Sequence, residues 1–357
     1  MATVGPTLEK PEDLRRAIEA GAKWFRLPCG YRQRPHLQNS RDIRGAEKAF
    51  GIPVQLLLDL PSSRPRTGTM PELRLELGAT VCFWDPQDCP SAPVQNGAAM
   101  IPLPGLAQLC PKLKQKHRMW FCDGRLSFVV DQLNGSWVVA RLERGAIPLK
   151  SSNSVFLPDS SSPFSTITPP DRELMLALAA ESLLPDWVAL SLISSPEDVR
   201  SARSEVRELL GADVKIMAKF ETIPAVECAA DILNDADGIM VARGDLGLAV
   251  GYAHLPEVQE QLVAAARRAS KLVVVATQIL EVFAETGLPQ RAELSDLSLI
   301  ARQRADVIML GKETVFSPRP IECIQFANEI LSYETGRFEQ AALLPRQKSP
   351  RHNNIIA

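Results

Sequence analysis

The sequence has no excess of charge of either sign. Forty lysines and arginines face 42 aspartates and glutamates over 357 residues, a formal net charge of -2. Nucleic-acid binding rests on a large basic surface, so nucleic acid is excluded as the main partner. Long hydrophobic runs are also missing. None approaches the roughly 20 apolar residues needed to span a bilayer, so no membrane partner is expected. The opening MATVGPTLEK lacks a basic stretch followed by an apolar core, which argues against a secretory signal. The seven cysteines are an odd number without a CxxC pair, and read as reduced thiols of a cytoplasmic protein. Histidine is scarce and scattered, at His36, His117, His254 and His352, each expected at the surface. What remains is 45% hydrophobic and 23% charged, the balance of a globular protein with a sizeable core.

From residue 170 to 340 the pattern repeats: a short apolar strand, a loop, an amphipathic helix. WVALSLI at 187–193 is followed by Ser195-Pro196-Glu197-Asp198, a cap, a first-turn proline and an acidic third position. That helix closes at Gly211. Further strands are expected at 215–220, 238–243, 272–277 and 306–310, with helices from Pro224, over 255–270, near 291–304 and over 320–338. Continuous apolar strands of this kind suit a parallel sheet covered by helices. The first 60 residues add helices over 12–22 and 40–50 and strands at 3–4, 24–27 and 54–59. Eight strand-helix units close a barrel, so the expected class is α/β, a (β/α)8 TIM barrel.

Residues 68–165 break the rhythm with short alternating segments and the turn dipeptides Asp123-Gly124 and Asn134-Gly135. They are expected to form a small all-β domain inserted after the third strand, with Phe83, Trp84, Trp120 and Phe121 as candidates for its core. The barrel then comprises 1–67 and 166–338, and the polar, basic 339–357 reads as a disordered tail.

Active sites of such barrels gather at the C-terminal ends of the strands. Polar residues there are Arg26, Asp59, Lys219, Glu221, Arg243-Gly244-Asp245, Thr277-Gln278 and Lys312-Glu313. Glu221 and Asp245, from adjacent strands, make a candidate site for a hard divalent cation, and Lys219 beside it could stabilise an oxyanion such as an enolate. Gly244 and the amides opening the turn at 245–247 can hold an anion. Each also has a structural reading: Lys219 as a buried ion pair with Glu221, Arg64 and Arg66 as solvated loop charges, Arg291 and Glu293 as structural residues.

These residues lie in stretches that closely resemble pyruvate kinases: KFE at 219–221, GIMVARGDLG at 238–247, ATQIL at 276–280, RAELSD at 291–296 and MLGKET at 309–314. Weaker matches agree in order, namely TVGP at 3–6, Arg26-Leu27, Leu58-Asp59, RTG at 66–68, Asp123-Gly124 and VFLP at 155–158. The likeness implies that the inserted β domain is a mobile lid. It implies phosphoryl transfer from phosphoenolpyruvate to ADP, giving pyruvate and ATP, with Mg2+ or Mn2+ bound by Glu221 and Asp245. Lys219 would stabilise charge on the phosphoryl group and the enolate. Gly244, Asp245 and Thr277 would hold the substrate carboxylate, Arg26 its phosphate, and Arg66 the nucleotide side.

Departures from the resemblance carry their own expectations. Pro28-Cys29-Gly30-Tyr31 and Leu60 stand where the family has potassium ligands, so of that set only Asp59 remains, and Arg64 replaces a glutamate. A fixed guanidinium could supply the missing monovalent charge, so potassium is not expected to be required. Asn153-Ser154 replace the lid lysine, Ser194 an arginine and Lys312 a glycine. The family's C-terminal domain is absent from the sequence, from which a homodimer at most is expected. Besides a divergent pyruvate kinase, two alternatives stay open: a metal-dependent lyase, decarboxylase or transferase working on a related 2-oxo acid without nucleotide, and a catalytically silent binding protein.

Overall fold

The structure, a computed structural model, describes residues 1–31, 35–89, 97–122, 124–145, 147–160 and 165–343, with side chains as far as residue 337. The chain lays down β1 (Ala2–Thr3), β2 (Trp24–Pro28) and β3 (Gln55–Leu60) and then leaves the sheet. The excursion comprises β4 (Thr80–Trp84), β5 (Ala99–Pro102), β6 (Arg118–Phe121), β7 (Leu126–Asn134), β8 (Trp137–Arg144) and β9 (Val155–Phe156). It returns with β10 (Trp187–Leu190), β11 (Lys215–Phe220), β12 (Gly238–Ala242), β13 (Leu272–Ala276) and β14 (Val307–Met309).

The eight returning and departing strands form one parallel sheet in the order β1-β2-β3-β10-β11-β12-β13-β14. A parallel bridge between Ala2 and Leu310 closes it, with Thr3 N–H donating to the Leu310 carbonyl at 3.1 Å. This is the expected (β/α)8 barrel. Its strands read as unbroken apolar runs because both faces are covered. One face packs on the helices through residues such as Leu58, Val188, Ile216, Ile239 and Val273. The other fills the barrel with Leu57, Trp187, Ala189, Met217, Met240, Val274, Ala276 and Met309.

That inner layer decides the site. Strand side chains alternate, so the residue two beyond an inner-layer residue also points inward, one step nearer the mouth. Trp24 therefore leads to Arg26, Leu57 to Asp59, Ala189 to Ser191 and Met217 to Lys219. The strand register staggers these steps: Arg26 pairs with Leu57, Asp59 with Ala189, and Ala189 with Met217, so Asp59 stands one inward step beyond Arg26, and Ser191 and Lys219 one step beyond Asp59.

Local signals agree with the helices they announce. Ser195 Oγ accepts from the Asp198 amide, Asp198 accepts from the Ser195 amide, and Gly211 ends the helix Pro196–Leu210 at a φ of 64°. The helix expected from Pro224 is broken at Cys228 into Ile223–Glu227 and Ala229–Asp235. Residues 245–247, expected as a short turn, belong to the helix Arg243–Val250. Its two glycines are poor helix formers, but both sit in tight tertiary contacts. A Cβ on Gly244 would come within 3.2 Å of Thr277 Cγ2, and one on Gly247 within 3.0 Å of the Tyr252 ring.

The last helix, Pro320–Leu343, runs beyond the expected end at 338 into the segment expected as a tail. Its final residues, FEQAAL, are mostly strong helix formers, and Pro345 is the first breaker. Residues 344–357, with His352, and Asp123 lie outside the described residues. His36, expected at the surface, is buried at the start of the helix His36–Phe50. No helix among the described residues is long and apolar enough to cross a membrane.

The inserted segment forms a second sheet in the order β5-β4-β8-β7-β6-β9. Its strands pair antiparallel except β4 with β5, and Leu106–Leu109 adds one helical turn. Phe83, Phe121 and Phe128 interlock at its centre, with ring centroids 5.2 to 5.6 Å apart. Trp120 belongs elsewhere. With Phe156 it packs on the barrel residues Leu192, Leu248 and Ala249, because its strand presents it on the face opposite Phe121.

Candidate active site

At the C-terminal mouth of the barrel, three strand ends converge on one ammonium group, and a fourth joins through Asp59. Lys219 Nζ lies 3.1 Å from Asp59 Oδ1, 3.1 Å from Glu221 Oε1 and 2.7 Å from Ser191 Oγ. Arg26 Nε donates to the other Asp59 oxygen at 2.6 Å, and Arg26 Nη1 reaches Thr3 Oγ1 at 3.3 Å. Lys219 is 8% exposed, Asp59 and Glu221 3% each. Burial by itself would lower the Lys219 ammonium, but the carboxylates of Asp59 and Glu221 outweigh it and hold its pKa above the ordinary lysine value. Burial would likewise raise Asp59, and the charges of Lys219 and Arg26 hold it below the usual carboxylate range. The structural reading of Lys219 as an ion pair with Glu221 is thus present in the molecule, as one part of a larger network.

Glu221 Oε2 is fixed in turn by the Leu192 amide at 2.8 Å. Asp245, in the first turn of the helix after β12, pairs with Arg64 at 2.5 Å, and the Arg64 guanidinium lies 5.4 Å from the centroid of Phe156. Asp59 and Arg64, expected together as the remnant of a monovalent-cation site, are therefore placed in separate ion pairs. Arg66 extends from the mouth to the carbonyl of Ser152, at 2.9 Å.

Thr277 and Gln278 have φ of 79° and 56°, a left-handed conformation uncommon outside glycine and rarest for a β-branched residue such as Thr277. Arg243 imposes it. Its guanidinium donates to the carbonyls of Ala276, Thr277 and Gln278 and pairs with Asp296 at 2.7 Å. Glu313, 1% exposed, accepts from the amides of Ile279, Leu280 and Gly311 and fixes the far side of the same loop. Sequence reasoning had no role for Ser191, Arg243 or Glu313. The signal for Arg243 was a charged residue directly ending an apolar strand. Glu293 caps its own helix, accepting from the Gln290 amide at 2.8 Å, and ties in the preceding helix, Glu281–Thr286, by accepting from the Val282 amide at 2.7 Å.

Among the described residues, no three His, Cys, Asp or Glu side chains gather into a metal cage. The carboxylates of Glu221 and Asp245 nevertheless suit a hard divalent cation that keeps most of its shell for water and ligand oxygens, as Mg2+ does. Three cysteines are held as thiols. Burial pushes the Cys82 and Cys110 thiols up to about 11 and that of Cys323 to about 12.

A barrel mouth that joins Lys219, Glu221, Asp59 and Arg26 also matches known proteins along the chain. The sequence profile of the pyruvate kinase barrel domain covers residues 1–324. The chain belongs to the pyruvate kinase family. Pyruvate kinase of Methylorubrum extorquens is 33% identical over 334 residues, spanning 92% of this chain and 67% of that protein. Pyruvate kinase of Thermotoga maritima is 28% identical, spanning 95% and 71%. The crystal structure of the Pyrobaculum aerophilum pyruvate kinase superposes with a TM-score of 0.82 at 27% identity, covering 93% of this chain and 72% of that one. That of a Cryptosporidium parvum pyruvate kinase gives 0.85 at 23% identity, a likeness of fold. The protein is thus a pyruvate kinase-like phosphotransferase with the expected barrel and inserted β domain.

Proposed function

We propose that this member of the family transfers the phosphoryl group of phosphoenolpyruvate to ADP in the cytoplasm. The P–O bond to the enol oxygen breaks, a β-phosphate oxygen of ADP forms the new bond, and the enolpyruvate takes a proton at its methylene carbon to become pyruvate. The observation that carries this reading is the Lys219 ammonium, held at the mouth by Asp59, Glu221 and Ser191 beside Arg26.

Phosphoryl transfer is mostly positioning and charge neutralisation. Lys219 stabilises the charge that develops on the phosphoryl oxygens and the enol oxygen. Its partners keep it protonated and orient it before substrate arrives. Arg26, fixed in plane by Asp59, offers its outer nitrogens to the phosphate. Gly244 and the first amides of the helix Arg243–Val250 lie against Thr277, and together they hold the carboxylate of phosphoenolpyruvate. Arg66 serves the nucleotide side. Glu221 and Asp245 would hold Mg2+ or Mn2+, which supplies Lewis-acid neutralisation of the transferring group. Arg64 places a permanent positive charge at the same mouth, from which little potassium dependence is expected.

A second reading keeps only the enolate chemistry, on a pyruvate-like 2-oxo acid without nucleotide. It is favoured by Arg66, whose guanidinium is engaged by the Ser152 carbonyl, beside Asn153-Ser154 where the family has a lysine.

The test is 31P NMR of phosphoenolpyruvate, ADP and Mg2+ with the protein, in sodium and in potassium buffer. ATP is expected at similar rates in both, falling at least about a hundredfold in Lys219→Met. If no ATP appears while pyruvate methyl protons exchange with solvent, the second reading replaces the first.

A further inference from the structure

The ion pair between Arg64 and Asp245 has an unusual position. Asp245 is a carboxylate assigned above to a divalent cation, and an oxygen of it is already taken by a guanidinium 2.5 Å away. The partners come from opposite sides of the mouth and lie 181 residues apart in sequence. Both side chains are largely shielded, 21% and 24% exposed, so the contact is not a surface pair that water would loosen. Arg64 is further held by the face of Phe156, at the seam where the lid meets the barrel. Glu221, the other assigned carboxylate, is engaged by an ammonium and an amide.

We propose that Arg64 is an internal counter-cation that competes with the divalent cation for Asp245, so that the cation and an anionic ligand load with positive coupling. The inference rests on the reading of Asp245 as a cation ligand. A hard cation entering at Asp245 must displace the guanidinium or bind beside a positive charge, and either weakens it. An anion that reaches Arg64 draws the guanidinium off the carboxylate and returns both oxygens to the cation. By linkage the cation must then favour the anion by the same factor. The class of ligand that fits is a small phosphorylated acid, large enough in charge to compete with Asp245. The pair would also keep Asp245 ordered and neutralised when neither ligand is present, so the mouth holds no uncompensated charge.

The competition predicts a result opposite to that of a supporting residue. Mn2+ binding to the full chain is measured by the EPR signal of the free ion, without nucleotide and so without turnover. The titrations compare wild type, Arg64→Gln, Arg64→Lys and Asp245→Asn, with and without phosphoenolpyruvate. Arg64→Gln is expected to bind Mn2+ alone about tenfold more tightly than wild type, and the gain from phosphoenolpyruvate is expected to shrink about tenfold. Arg64→Lys keeps the charge and is expected to stay near wild type. If Arg64→Gln binds Mn2+ no more tightly while Asp245→Asn abolishes binding, the competition is wrong and the cation site stands. If Asp245→Asn leaves Mn2+ binding unchanged, the assignment of Asp245 fails and the inference fails with it.

Discussion

Lys219 and Asp59 are 160 residues apart in the chain and 3.1 Å apart at the barrel mouth. Strand alternation turns both inward, and the register of β3, β10 and β11 sets Asp59 level with Met217, one inward step below Lys219. Arg26 completes the neutralisation of Asp59, so a buried carboxylate serves two cations.

This arrangement dictates a pH dependence. Asp59 is held below its ordinary 3.8, so its contribution to stability is present above that pH and is lost as pH falls through the depressed value. Lys219 is held above its ordinary 10.5, so its contribution is present below that pH and is lost as pH rises through the elevated value. Asp59→Asn is therefore expected to cost about 3–5 kcal/mol at neutral pH, because two buried cations lose their partner. Urea unfolding should show that gap narrowing in acid, below 3.8. A gap that persists undiminished in acid would assign the loss to packing instead.

Strain at Thr277 makes a separate prediction. A positive φ of 79° costs a residue with a Cβ of the order of 1 kcal/mol relative to glycine. Thr277→Gly is expected to be more stable than Thr277→Ala by about 1 kcal/mol in denaturant titration. Both variants lose the hydroxyl, so both should raise the KM for phosphoenolpyruvate. Equal stability of the two would mean that the Arg243 contacts leave no strain in this peptide.

Arg118 ties the inserted domain to the barrel. It pairs with Asp159 through two nitrogens, and its guanidinium also donates to the carbonyls of Leu248 and Ala249 at 3.4 and 3.0 Å. Those carbonyls end the helix Arg243–Val250, where a cation is favoured by the helix dipole. Arg118→Ala is expected to speed amide exchange in residues 243–250 and in β6, and to leave β13 protected. Unchanged exchange at both sites would show that the apolar contacts of Trp120 and Phe156 hold the lid alone.

Much of this was legible from the chain. Runs such as LVVVA at 272–276 and KIMAKF at 215–220 could be assigned as strands because both their faces are buried and no polar alternation interrupts them. Their charged ends stood out for the same reason. Asp59, Lys219 and Arg243 each follow an apolar run that no solvent-exposed pattern explains. The helix break at Cys228, the helix over 243–250 and the burial of His36 were not legible, because each depends on what packs against it.

The sequence by itself determined the barrel, the insertion after its third strand, and the charged residues that end the strands at the mouth. Periodicity and strand-end position are local properties, written in neighbouring residues. Only the tertiary structure decided who pairs with whom. Lys219 is shared by Ser191 and Asp59, Arg243 clamps the Thr277 loop, and Arg64 meets Asp245 rather than Asp59. These partners lie tens to hundreds of residues apart, and an ion pair forms where the closed barrel sets two side chains within about 3 Å, a distance that no local pattern encodes.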